Sequence, residues 1–271
     1  MTRVFAMAVA SCALMTTTAL AGGHCAGGKT LIDGKFTIAT GNPAYYPWVM
    51  DDAPESGQGF EAAMAYAVAA EMGFEAADVI WTRSSFDEAI QPGIKNFDVN
   101  IQQYSITPER DEIVDFSAPY YSAPMAVLAS PGAIDTAATF DALRALKWGA
   151  VGSTTAVSKL TDVVMPDSAL LLYGDNSDVN AAISANQIDA ALFDLPTALF
   201  LSAVMIEGSK VIGQFPADAG DELDQFGMLL EEGNPLKACV DDAIAAITDN
   251  GTLAAIEAEW LQDTTGVPLI K

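Results

Sequence analysis

Short apolar runs of strand length alternate with segments of helical spacing along most of this 271-residue chain, and the alternation occurs twice. Lys35-Phe36-Thr37-Ile38-Ala39-Thr40 reads as a first strand, followed by a loop over 42–48 stiffened by Pro43 and Pro47. Phe60, Met64, Ala67, Val68 and Met72 fall on one face of a helix over 60–72 that Gly73 stops. Val79-Ile80-Trp81 reads as a strand, 86–94 as a helix and 97–102 as another strand. A second series begins with a strand at 147–151, after which Ser153-Thr154-Thr155 stands where the next helix should start. Strands at 170–173 and 189–193 follow, with helices over 179–186 and 196–205. The chain ends with a strand at 226–230 and helices over 236–248 and 253–261, broken at Asn250-Gly251. Stretches 136–140 and 216–220 read as surface loops. Parallel neighbours need helical crossovers, so this pattern predicts an α/β fold with mainly parallel sheets covered on both faces. Two series predict two lobes, and the pattern leaves open whether the chain crosses between them once or twice.

The first residues read as an export leader. Arg3 precedes an apolar stretch over 4–14, and Ala19-Leu20-Ala21 fits a small-x-small cleavage site, giving a leader at 1–21. The apolar run is too short for a membrane span, and no later run is long enough. Cys25 follows Gly22-Gly23-His24, a poor match to a lipid-attachment site, so a soluble periplasmic protein is expected. In that oxidising compartment Cys25 and Cys239 form an even pair, open to being bridged or to remaining two thiols. The formal charge of −24 opposes binding to nucleic acid or anionic membrane. With His24 as the only histidine, no zinc site or cofactor is expected.

In open α/β sheets, ligands sit beyond the carboxyl ends of strands. Polar and aromatic residues gather at such ends here: Tyr45 and Trp48, then Gln103, Ser105 and Arg110, then Thr154 and Thr155, then Asp194. Arg110 offers a planar fork that matches a carboxylate, with hydroxyls close by in Ser105-Ile106-Thr107-Pro108-Glu109-Arg110. Each residue also has a plainer reading. Arg110 could pair with Glu109 or Asp111 at the surface. Asp194, Thr155 and Ser153 could be helix caps. Tyr45 and Phe86 could be core residues, and Trp48 could seal its loop.

The run from Phe97-Asp98-Val99-Asn100-Ile101 through Ser105 to Arg110, and on to Val114-Asp115-Phe116-Ser117-Ala118-Pro119-Tyr120, resembles the signature of polar amino-acid solute-binding proteins of ABC importers, the family-3 extracellular binding proteins. The resemblance runs from about Gly34 to the C-terminus. It implies a type II periplasmic-binding-protein fold, with two lobes joined by a two-stranded hinge and the ligand cleft between them. Lobe 1 would comprise 22–126 and 224–271, and lobe 2 would be 127–223. By matched position, Arg110 would take a ligand α-carboxylate with help from Ser105. Thr155 would donate from lobe 2, Asp194 would accept from the α-ammonium, and Tyr45 and Phe86 would pack on the ligand side chain. The implied protein is a monomer without a catalytic role, and its partners are a small zwitterion and the transmembrane subunits of a permease.

The sequence also departs from the pattern. Gln102 and Gln103 stand where many relatives carry small residues, so two amides would point toward the cleft. Gly152 and Ser153 replace a frequent Gln and Gly. Asn42 occupies a position where relatives that bind cationic side chains often carry Asp, which weakens the case for a Lys- or Arg-like ligand. Two rival roles on this fold are a cyclohexadienyl dehydratase-like enzyme, with Glu61 or Asp194 as a general acid, and a soluble ligand sensor.

Overall fold

A computed structural model describes residues 25–216, 224–261 and 266–271. The expected leader, His24 and most of the loop expected at 216–220 lie outside the described residues.

In chain order the first series is β1 (Phe36–Thr40), α1 (Phe60–Glu71), β2 (Val79–Arg83), α2 (Phe86–Ala89), β3 (Val99–Asn100), α3 (Pro108–Asp111) and β4 (Asp115–Phe116). β5 (Tyr121–Ala123) leads into β6 (Met125–Ala129), α4 (Phe140–Arg144), β7 (Trp148–Val151), α5 (Thr155–Ser158), β8 (Leu171–Tyr173), α6 (Asn176–Ser184), β9 (Ala190–Asp194), α7 (Leu195–Phe200) and β10 (Lys210–Gln214). The chain then forms β11 (Asp224–Phe226), β12 (Leu229–Leu230), α8 (Lys237–Asp249) and α9 (Thr252–Trp260).

Two five-stranded sheets result, ordered β2-β1-β3-β12-β4 and β10-β6-β9-β7-β8. Each has a parallel triplet, centred on β1 in one lobe and β7 in the other. Each also takes antiparallel neighbours, β12 beside β3 and β6 beside β9. The expected mainly parallel sheets are therefore mixed. Strands β6 and β10 are absent from the sequence reading. Met125–Ala129 is a continuous apolar run, which periodicity cannot assign to strand or helix. The helix expected over 86–94 stops after Ala89, because Pro92 disfavours helical geometry at Gln91. The strand expected at 226–230 is divided between β11 and β12. Gly227 makes the transition, where a Cβ would come 2.9 Å from Ile106 Cδ1.

The chain passes between the sheets twice, along β5 and β11. These pair antiparallel as a separate ribbon, with Asp224 opposite Ala123 and Phe226 opposite Tyr121. One boundary needs correction. Residues 266–271, expected with lobe 1, lie on lobe 2, because Leu269 bridges Gln214 and Ile270 is buried in that lobe's core. Gln214 N donates to Pro268 O at 2.9 Å, which gives the tail a strand-like seat.

Lobe 1 is built on β1, buried along its whole length, with α1 and α8 packed over one face. Lobe 2 buries apolar residues on both sheet faces, one around Trp148 and Leu143 and the other around Ile183 and Leu128. Cys25 and Cys239 face each other with Cα atoms 5.7 Å apart, which sets the N-terminal arm against α8.

Candidate ligand-binding cleft

A cavity of about 260 Å³ opens between the lobes, at the carboxyl ends of the central strands. Its inner end is organised by Arg110. Thr107 caps α3 by accepting from Arg110 N at 3.3 Å, and Pro108 opens the helix, so this short turn is fixed locally. The Arg110 side chain is buried. Nη1 donates to Ser105 O at 2.7 Å in its own lobe, and Nη2 to Ser153 O at 2.9 Å in the other. Two of its five donors are thus held by carbonyls, which orients the fork and leaves further N–H groups for a ligand. The guanidinium carbon sits 5.4 Å from the Phe86 ring centroid, and Phe86 stacks on Tyr104 at 4.6 Å. Burial pulls the Arg110 pKa down, while the nearby Asp224 carboxylate opposes that shift.

Across the cleft, Ser105 Oγ lies 3.3 Å from Thr155 Oγ1, which donates to Asp224 Oδ2 at 3.1 Å. Thr154 occupies the N-cap position of α5, but its hydroxyl turns back to Val151 O at 2.8 Å and does not cap the helix. Asp194 combines two roles offered by the sequence. It ends β9 and caps α7, accepting from Thr197 N at 2.8 Å, and it also lines the cavity. Burial pushes its pKa up to about 6, with the Thr197 N–H pulling the other way and the Asp224 charge adding to the rise.

Tyr45, Phe86, Gln103, Ser105, Arg110, Thr154, Thr155 and Asp194 all line the cavity. Trp48 does not. It is fully buried, edge-on to Phe60, Tyr121 and Phe226. Tyr45 stands nearer the mouth, with its hydroxyl 3.0 Å from Ser177 Oγ of lobe 2. The two amide residues expected at the cleft, Gln102 and Gln103, both line the cavity and are also engaged within lobe 1. Gln102 Oε1 accepts from the Tyr104 hydroxyl at 3.0 Å. Gln103 has a left-handed backbone (φ 49°) and donates to the Glu61 carboxylate from both its backbone N–H, at 2.8 Å, and its side-chain amide. Glu61, which also accepts from the Tyr120 hydroxyl, is fully buried and is not part of the cavity wall. Burial pushes its pKa up to about 7.

Three wall acids, Asp87, Asp175 and Asp224, escape the sequence reading. Asp175 follows β8 directly, so the strand-end rule could have found it. Asp224 opens a strand of the hinge, where that rule gives no signal. Among the described residues of the cavity wall, they and Asp194 set four carboxylates against one guanidinium, that of Arg110.

Residues 37–263 match the bacterial extracellular solute-binding proteins, family 3. The chain belongs to this family. It is 30% identical over 207 residues to the L-cystine-binding protein TcyJ of Escherichia coli (strain K12), covering 74% of this chain and 73% of that protein. Identity to the ABC transporter arginine-binding protein 1 of the same strain is 28% over 211 residues, covering 74% of this chain and 81% of that protein. Among solved structures, an ancestral arginine-binding protein bound to glutamine superposes with a TM-score of 0.70 at 24% identity. That alignment covers 84% of this chain and 98% of the other. At that identity the superposition speaks for the fold alone, and the fold is that of the two-lobed periplasmic binding proteins.

Proposed function

We propose that this protein is a periplasmic solute-binding protein that captures an amino acid or amino-acid-like zwitterion between its lobes and delivers it to an ABC importer. The observation that carries this reading is that a guanidinium from lobe 1 and a carboxylate from lobe 2, Arg110 and Asp194, face one cavity. Arg110 would hold the α-carboxylate, Asp194 the α-ammonium, and Ser105 and Thr155 would bond the carboxylate from either side. Gln103 and Thr154 would line the same end, and Tyr45 and Phe86 would pack on the side chain. Trp48 would act outside the cavity. Charge-assisted hydrogen bonds contribute about 1.5–3 kcal/mol each, so a few of them reach the roughly −8 kcal/mol of micromolar affinity. A ligand bonded to both lobes favours the closed form, because it contacts that form better than the open one.

The same reading takes residues 1–21 as a cleaved leader and the mature protein as a monomer that docks on permease subunits. Cys25 and Cys239 would be bridged, in keeping with a Cα separation inside the range a disulfide requires. Two reactive thiols on the native protein would end that part of the proposal. The dehydratase alternative loses one of its two candidate acids, since Glu61 lies outside the cavity wall and is engaged by Gln103 and Tyr120.

A thermal-shift screen of the mature protein against amino acids, betaines and opines tests the binding role. A ligand at 100 times its Kd stabilises the fold by about 2.7 kcal/mol, which a melting curve resolves. Finding no stabilising zwitterion with protein stripped of bound solute would overturn the reading.

A further inference from the structure

Helix α7 carries more than Asp194 toward lobe 1. Thr197 and Phe200 follow at spacings of three, and each meets an aromatic residue of the 42–48 loop of lobe 1. Trp48 Nε1 donates to Thr197 Oγ1 at 2.8 Å, a buried bond between lobes. The Tyr46 and Phe200 rings stack at 4.8 Å with planes 4° apart, and both residues are half-buried. None of these four residues lines the cavity.

The loop is firmly mounted on lobe 1. Its Pro47 and Trp48 carbonyls accept from the opening N–H groups of α1, at 3.0 Å from Phe60 N and 2.9 Å from Glu61 N. Those N–H groups would otherwise lack partners at a helix start. The seat depends on Gly59, where φ is 103° and a Cβ would come 2.5 Å from Trp48 O. The Tyr46 hydroxyl donates to Asp51, and Ala44 N donates to Asp52 Oδ1 at 2.8 Å. A braced loop therefore presents two rings to one face of α7.

We propose that Tyr46 and Trp48 form a latch on Phe200 and Thr197 that holds the lobes together before any ligand arrives. A protein whose binding-competent form is only partly populated loses apparent affinity by that fraction. The latch thus sets affinity for every ligand by the same factor while touching none. This consequence rests on the binding role proposed above, whereas the closure itself does not.

The test uses the ligand-free mature protein, unfolded and refolded with its cysteines untouched to strip carried solute, and small-angle X-ray scattering. Phe200→Ala and Tyr46→Ala should each raise the radius of gyration, with the closed-to-open ratio falling roughly 2- to 10-fold, the range expected for an aromatic pair. The double variant should open little further than either single one. Phe200→Tyr, which keeps the ring, should match the wild type. Circular dichroism checks the fold. If the alanine variants fail to fold, Thr197→Val removes the hydroxyl that bonds both Trp48 and Asp194 while keeping the backbone N–H to Asp194, and Thr197→Ser, which restores the hydroxyl, should restore closure. Unchanged dimensions in every folded variant, or a Phe200→Tyr protein as open as Phe200→Ala, would overturn the latch. Because no ligand is added, failure here is distinct from failure of the binding role.

Discussion

The two ends of the cleft are built differently. At the inner end Arg110, Ser105, Thr155 and Asp224 form one hydrogen-bonded series that spans both lobes, and Arg110 and Ser105 are buried. At the mouth, Asn42, Asp87 and Asp175 are exposed, and Asp175 is occupied with capping α6. Charges interact strongly where water is excluded and weakly where it is not. The inner end is therefore suited to the groups all amino acids share, and the mouth to a preference among side chains.

Removing Arg110 tests that contrast most severely. Truncating one partner of a desolvated, hydrogen-bonded charge pair costs about 2–5 kcal/mol. Arg110→Ala should accordingly lower affinity by about 30-fold or more in calorimetric titration. A loss as small as that from an exposed charge would place Arg110 on a par with the mouth and erase the distinction.

Beneath the inner end, Glu61 offers a second and separable effect. Its carboxyl group holds its proton more tightly in the folded protein than in the unfolded chain. The folded state then binds more protons than the unfolded one between the ordinary carboxylate pKa and about 7, so stability falls as pH rises through that window and is level above it. The shift from 4.5 to about 7 corresponds to roughly 3 kcal/mol. Chemical denaturation of Glu61→Gln beside the wild type should show the variant gaining relative stability from pH 4.5 to pH 7. A difference that stays constant with pH would mean that Glu61 is not desolvated as described.

Legibility in the sequence follows the same divide. β1, α1 and β9 announce themselves because each pairs a clear period with a clear stop, and the strand-end rule then gathers Ser105, Arg110, Thr155 and Asp194 from segments far apart in the chain. Trp48 obeyed the same rule and landed in the core, since the rule fixes where a backbone emerges and not which way a large ring turns. Gln102 and Gln103 line the cavity as expected, but their bonds to Tyr104 and Glu61 were hidden, because no local pattern shows those contacts. Asp224 was hidden because its position depends on β11 pairing with β5, about a hundred residues away. The tail on lobe 2 was hidden for a similar reason: the edge of β10 was free to accept it.

Asp194 brings in pH. The ligand ammonium proposed to lie beside it would favour the carboxylate, so protons and ligand would compete for the site. With its pKa near 6, affinity should be level above about pH 7 and fall below pH 6, by up to tenfold per unit. Asp194→Asn should bind weakly and lose that slope. A slope that survives the substitution would assign the proton to another group.

The smallest effects belong to the mouth. Asp87 and Asp175 are exposed, and solvent-exposed charge pairs contribute about 0.2–1 kcal/mol, so Asp87→Asn or Asp175→Asn should change affinity by at most about fivefold. The direction carries the information. Among the described residues the cavity wall holds four carboxylates against one guanidinium, so glutamate and aspartate should bind more weakly than glutamine and asparagine of similar shape. Neutralising either mouth acid should narrow that gap, and added salt should narrow it further in the wild type, because screening acts on exposed charges first. Neither change should disturb the pH slope set by Asp194. If salt left the gap untouched, discrimination would have to lie at the buried inner end, and the two ends would differ in exposure without differing in role.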